Sequence, residues 1–383
     1  MKYLKIFSKI LMFFFAGSIL SGCWNYRDIE KVSIVSGFAI DKNAAGDKYI
    51  VTVELIDFEL SGKDAKQAAK YVEADGNTVF DAVRNVINYA GKKLYWAHAS
   101  VAIISQDIAL EGIIPAVDLI MRDAEMREEM YICISEEKNA SDILKQELPL
   151  SQTSSDNIES ILSNQSRVGV TNSVKCYQLT GMLESENMEA ALPCFKLEKS
   201  KERASAEPCG LAVFHSDKLV GFLSEEEAKY YLFAVNKIEN SLLTLKENPK
   251  SKTDDITLEI YDAKTSLKPE LILGKPVMNI SIKLQAAIGE LGTTVDYIQH
   301  KDKVKKAAED KLKDGVESVL KRVQSNFGSD IFGYGAYVEG YLPNVWNKAK
   351  KERINLFEEL AFNVKVDILI KNSSFLSKNI RAR

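Results

Sequence analysis

The stretch VSIVSGFAIDKNAAGDKYIVTVEL, residues 32–55, decides the fold class. Val32, Ile34, Phe38 and Ile40 alternate with small residues, and Tyr49, Val51, Val53 and Leu55 alternate again, the period of strands with one buried face. Between them DKNAAGD carries Asn, Asp and Gly, so the two strands form an antiparallel hairpin with a longish loop. A doubly wound sheet would follow its first strand with a helix. The expected class is α+β.

Further along, Thr78 offers an N-cap, Val79, Phe80, Val83, Val86, Ile87 and Ala90 recur at helical spacing, and Gly91 ends the run. A strand SVAIIS follows, then helical material from about Gln106 to Met126 interrupted by Gly112 and Pro115, then the strand MYICIS. The expected order is ββαβαβ. From Asn139 to Met188 the signals are mainly helical, so 139–195 is either an extension of this domain or the start of a middle one. KLEKSKERASAEP, Lys196 to Pro208, is polar, charged and closed by proline, which marks a domain boundary. The first domain is therefore expected over 23–195 and a second over 206–383.

The second half opens with GLAVFHSDKLVGFL, two short strands around Ser216 and Asp217, and Ser224 to Glu227 is a capping box. Strands are expected near Ile256 to Tyr261 and Val277 to Ala287. A long helix over about 298–327 carries the stripe Val304, Ala308, Leu312, Val316, Val319, Leu320 and Val323. Phe362 to Ile370 alternates as a half-wetted strand. The reading is two to three mixed α/β domains with mainly antiparallel sheets flanked by helices.

Toward the start, Lys2, Lys5 and Lys9 precede an apolar run from Ile10 to Leu20, the pattern of a signal peptide over 1–22. Eleven helical residues rise only about 16 Å, too little to cross a hydrocarbon core of about 30 Å. Leu20, Ser21, Gly22 and Cys23 resemble a bacterial lipobox, in which Cys23 receives a diacylglyceryl group and becomes the new N-terminus. Two acyl chains hold a protein stably on a membrane where one does so marginally. Without the leader's three lysines the formal charge moves from −4 to −7, which argues against nucleic acid as a partner.

Catalytic templates find nothing to attach to: no phosphate loop, GxSxG elbow or HExxH occurs. The remaining cysteines, Cys133, Cys176, Cys194 and Cys209, contain no CxxC, so zinc has no local support, and no cofactor beyond the lipid is expected. Cys133 suits a buried small apolar position, and a disulfide among the other three is permitted outside the cytoplasm but not fixed by spacing. His98 enters a strand beside aromatics and suits a structural role better than a functional one. Arg122, Asp123, Glu125 and Arg127 stand at helical spacing, a solvated charged face or a binding site. DIFGYGAY, with Asp330, Phe332 and Tyr334, is either a helix stop or a docking surface.

Several of these stretches together carry a family resemblance. GCWNYRDIEKVSIVSGFAIDK resembles the start of the Ger(x)C spore germination lipoproteins, with a Trp and an Arg after the anchor cysteine. GNTVFDAVRNV, GKKLYWAHASVAIIS, MRDAEMRE, SDIL, GLAVFHSDKLVGFLSEEEAKYYLF and SDIFGYG resemble that family's further motifs, in order along the chain. The chain departs from the pattern at Asn25 and Tyr26, after Trp346 and at KNSS near the end. The resemblance implies the C subunit of a nutrient germinant receptor with three mixed α/β domains, lipid-anchored on the outer face of the spore inner membrane beside polytopic A and B subunits. It implies no catalytic residues. Trp24, Arg27, Arg122, Arg127, Asp330, Phe332 and Tyr334 are the candidates for partner contact, and a solute-binding lipoprotein that captures the nutrient is the alternative.

Overall fold

The computed structural model describes residues 32–57, 68–146, 153–199, 204–246, 255–290 and 297–371, with a few positions among the first twelve. Leu20, Ser21, Gly22, Cys23, Trp24 and Arg27 lie outside the described residues.

The opening hairpin forms as its alternation predicts. β1 (Val32–Lys42) pairs antiparallel with β2 (Tyr49–Asp57), from Ile34 opposite Ile56 to Lys42 opposite Tyr49. A third strand that the sequence did not announce, β3 (Ala68–Gly76), pairs with β2 along its whole length. Its composition, AAKYVEADG, carries helix formers, and the tertiary pairing overrides them. Helix α1 (Val79–Ala90) follows, capped by Thr78, whose hydroxyl accepts from the Asp81 N–H, and stopped by Gly91 at φ 67°. After β4 (Lys93–Tyr95), His98 lies exposed at the end of a single 3₁₀ turn and not within a strand. β5 (Val101–Ile104), the helices α2 (Gln106–Glu111) and α3 (Ile114–Arg122), and β6 (Tyr131–Ser135) complete this part.

β5 lies parallel to β1 and β6 parallel to β5, so the centre of this sheet is parallel and its flanks antiparallel. Helices α1 to α3 cover one face, where Phe38, Ile40, Val53, Val86, Ile108 and Ile120 share a core. The helices after residue 139, α4 (Ala140–Leu144) and α5 (Ser154–Ser163), cover the opposite face through Ala39, Ile103, Cys133, Ile143 and Ile158. Cys133 is wholly buried there, as expected.

Two buried carboxylates fasten those helices to the sheet. Asp41 of β1 accepts from the N–H groups of Ala140 (2.6 Å) and Ser141 (3.1 Å) at the start of α4. Glu54 of β2 accepts from the N–H groups of Ser154 (2.9 Å) and Ser155 (3.1 Å) at the start of α5, and from the hydroxyls of Ser155, Ser36 and Tyr71. Helix N-termini leave unpaired N–H groups with partial positive charge, which a buried anion satisfies.

After α6 (Gln165–Val168) and α7 (Cys176–Leu183), β7 (Ala191–Lys199) joins the sheet parallel to β6. β7 then pairs antiparallel with β8 (Ala204–His215), from Ala191 opposite Val213 to Lys199 opposite Ala204, and β8 with β9 (Lys218–Leu223). The segment expected to divide the chain, Lys196–Pro208, thus lies within a hairpin, and one nine-stranded sheet runs across it. The GLAVFH and KLVGFL strands complete that first sheet.

Helix α8 (Glu225–Ala234) begins at the expected capping box, in which Ser224 and Glu227 exchange hydrogen bonds. The second sheet runs β10 (Ser241–Lys246), β11 (Asp255–Ile272), β12 (Lys275–Glu290) and β13 (Ala361–Lys371), with β13 parallel to β12. Helix α9 (Tyr297–Arg322), extended by a π turn over Val323–Phe327, lies against it. All seven stripe residues from Val304 to Val323 are buried with Ile280, Ile282 and Ile368, each Val or Leu contributing about 1.5–3 kcal/mol of burial. Three short helices precede β13: α10 (Tyr334–Tyr341), α11 (Pro343–Glu352) and α12 (Leu356–Glu359). Among the described residues no helix is long and apolar enough to cross a membrane.

Candidate functional site: the cleft between the sheets

The junction of the two sheets is organised by the DIFGYG segment. Ser329 and Asp330 follow the end of the long helix, where Gly328 takes φ 59°. The Asp330 carboxylate accepts from the N–H groups of Tyr334 (3.1 Å) and Gly335 (2.6 Å), capping α10. Burial raises its pKa to about 7, and the backbone N–H groups around it pull the other way. Gly335 is required by close approach, since a Cβ there would sit 2.8 Å from the Asn187 carbonyl. The Asp330 carbonyl in turn accepts from the Glu189 N–H at 2.9 Å, joining the turn to the segment that leads into β7.

Phe332 and Tyr334 point into the C-terminal core. Phe332 stacks on Tyr334 with centroids 5.2 Å apart and on Phe357 at 6.0 Å, and tilts against Tyr231 at 5.4 Å. The Tyr334 hydroxyl donates to the Ala234 carbonyl and the Tyr231 hydroxyl to the Ile331 carbonyl. Asp330, Phe332 and Tyr334 are all buried, so the docking reading of these three is corrected: they are the stop and keystone of the fold. Gly-rich aromatic sequence looks the same whether its rings face solvent or a core.

Beside this keystone lies an open cleft of about 490 Å³, lined by Glu186, Asn187, Glu189, His215, Trp346 and Lys350 among others. His215 Nδ1 lies 3.5 Å from Glu189 Oε1 and 3.3 Å from Ser329 Oγ. Glu189 also accepts from the Ser216 N–H at 2.7 Å, and burial raises its pKa against the pull of that hydrogen bond and of His215. Glu186 pairs with Lys350, and Asn187 donates to Glu339 at 2.6 Å. Serine, histidine and carboxylate meet here, but both oxygens face the same ring nitrogen. An acyl-transfer relay needs the hydroxyl on one nitrogen and the carboxylate on the other. The cleft's polar and apolar lining comes from 186–189, His215 and 328–357, segments whose meeting sequence spacing does not reveal.

The charged run after α3 is also rearranged. The helix ends at Arg122, so Arg122 and Arg127 do not share a helical face. Arg122 pairs with Asp118 one turn back at 2.6 Å, Arg84 with Asp123 at 3.2 Å and Lys93 with Glu125 at 2.5 Å. The last two pairs tie the α3 exit to α1 and β4. Arg127 is exposed, and Arg122 and Arg127 stand on the first sheet's helical layer, apart from the keystone in the C-terminal core.

Residues 25–197 match the model of the spore germination protein N-terminal domain, and residues 209–374 that of the spore germination B3/GerAC-like C-terminal domain. The chain belongs to the GerAC-like spore germination family. The two matches take up most of the sequence, and between them they leave residues 198–208 unclaimed, inside the segment expected as the boundary. This GerAC-like chain is 25% identical to spore germination protein B3 of Bacillus subtilis (strain 168), covering 98% of this chain and 100% of that one. It is 21% identical to spore germination protein KC of the same strain, covering 95% of each. The crystal structure of the GerBC protein superposes with a TM-score of 0.55 at 21% identity, over 90% of this chain and 99% of that one. The GerAC-like fold is thus the mixed α/β architecture that the opening hairpin announced, now with two sheets.

Proposed function

We propose that this protein is the lipid-anchored, non-enzymatic C subunit of a spore nutrient germinant receptor, acting in spore germination. It stands on the outer face of the spore inner membrane, held by acyl chains on Cys23, and docks on polytopic A and B subunits. The observation that carries this reading is the match of both halves of the chain, in order, to the two spore germination domain models. The leader and lipobox at Leu20–Cys23 add the means of attachment. A tether confines the folded body to a thin layer over the bilayer and raises its effective concentration toward integral partners, so modest interfaces suffice.

Cys23→Ala tests the anchor and the role together. The variant protein is expected to leave the membrane fraction, and spores carrying it to lose the response to nutrients through this receptor. Membrane retention with an unchanged response contradicts the proposal.

A second reading, direct capture of the nutrient, is favoured by one observation: the cleft near His215 has the size of a small-molecule site and both acidic and basic lining. Calorimetry of the folded chain with amino acids and sugars separates the two, since the docking role predicts no heat of binding.

A further inference from the structure

Among the described residues, one group brings three metal-ligating side chains together: Glu136, Cys194 and Cys209, whose thiol and carboxylate atoms all lie within 4.8 Å of one another. Their convergence is built by strand pairing. Ile134 of β6 stands opposite Cys194 of β7, so Glu136, two residues beyond Ile134, projects on the same side as Cys194. The Glu136 N–H donates to the Phe195 carbonyl at 2.8 Å and prolongs the pairing past the end of β6.

Cys209 would face the other side of a regular ladder. A bulge prevents this: Cys194 pairs with Gly210 and Phe195 with Pro208, leaving Cys209 as the extra residue. Bulges turn a side chain away from its regular direction, and proline and glycine mark this one. Gly210 takes φ 109°, and a Cβ there would lie 2.0 Å from the Leu223 carbonyl. Its own carbonyl accepts from the Thr171 hydroxyl at 2.5 Å. Pro-Cys-Gly therefore aims one thiol at another across the hairpin, with an acid as the third member. Cys194 is buried, Cys209 half-buried and Glu136 exposed, so the group opens to solvent on one side.

We propose that Glu136, Cys194 and Cys209 form a binding site for a thiophilic divalent cation of the zinc class, with the fourth coordination position left to water. Thiolate sulfur and carboxylate oxygen are ligands that such an ion accepts, at about 2.3 Å and about 2.0–2.2 Å. Binding replaces the two thiol protons by bonds to the ion and releases them to solvent, with no change of oxidation state. Fourteen residues separate the two cysteines in sequence, which is why no short cysteine motif marked the site.

The test uses the full chain in detergent, stripped with a chelator and kept reduced with a phosphine. Cobalt(II) is added alone, then displaced by zinc. One equivalent is expected to give a thiolate-to-cobalt charge-transfer band with release of two protons, and zinc to abolish the band. Cys209→Ser should remove it, Glu136→Gln should weaken binding at least tenfold, and Cys133→Ser should leave it unchanged. Glu136 is exposed, so its variant keeps the test meaningful if a cysteine variant fails to fold. A missing band in the reduced protein overturns the proposal, as does a band indifferent to Glu136→Gln and Cys209→Ser. Native protein isolated metal-free with Cys194 bonded to Cys209 overturns it too.

Discussion

Glu54 shows how much a single buried residue can hold. Its carboxylate is fully buried yet accepts five hydrogen bonds from Ser36, Tyr71, Ser154 and Ser155. Glu54→Gln keeps one acceptor oxygen and turns two N–H donors toward groups that are themselves donors. Urea denaturation should register a loss of about 2–3 kcal/mol, against about 1 kcal/mol for removal of the ordinary cap in Thr153→Ala. Asp330 makes a pH-dependent counterpart. Its pKa rises from 3.8 to about 7 on folding, so between those values the folded state holds a proton that the unfolded chain has lost. The stabilisation from that proton is complete below about 3.8 and is lost as pH rises through about 7. The unfolding free energy of the wild type relative to Asp330→Asn should therefore fall over this window and level off above it, and a rising difference would refute the assignment. Sequence placed Asp330 in a distinctive stretch but could not say which way it pointed. Burial of an acid is decided by backbone N–H groups, and these are invisible until the helix they begin is in place.

Periodic elements were legible and paired ones were not. The long helix, its stripe, the α1 cap and the α8 capping box all follow from local spacing, because each depends on residues within a turn or two. The β11–β12 hairpin depends on a partner strand. Its outer half was unannounced, since Pro269 and Pro276 discourage strands and the turn lacks an Asn-Gly signal. The structure carries pairing to Ile272 opposite Lys275, leaving Leu273 and Gly274 as a two-residue turn with φ 52° and 79°. Both positive values describe a type I′ turn, for which leucine is a poor choice. Leu273 is also 99% exposed, so nothing packs against it to offset the backbone cost. Leu273→Asn should raise stability by about 1 kcal/mol, readable as a higher denaturation midpoint at unchanged slope. A lower midpoint would show that the apolar tip stabilises the fold in a way the contacts do not contain.

At the scale of the molecule, the first sheet borrows its last two strands from the half of the chain that carries the second. The polar, proline-closed run at 196–208 has the composition of a linker, yet hairpin tips and linkers share that composition because both face water. Only the register, Lys199 opposite Ala204, distinguishes them. The cleft was hidden for the same reason, its walls coming from 186–189, His215 and 346–357, which meet once β8 closes the sheet. The far side of that closure matters energetically: Ala191, Leu211, Val213 and Leu223 of the first sheet share a core with Tyr231, Leu320 and Phe332 of the C-terminal half. A cut between Lys199 and Ala204 exposes the β7 edge on one fragment and strands β8 and β9 without a sheet on the other. Residues 23–199 and 204–383 expressed separately should therefore aggregate, while their co-expression should restore a soluble complex that unfolds in one transition by circular dichroism. If residues 23–199 alone were soluble and unfolded cooperatively, the shared core would not be what holds the halves together, and the two domain matches would mark units that fold independently.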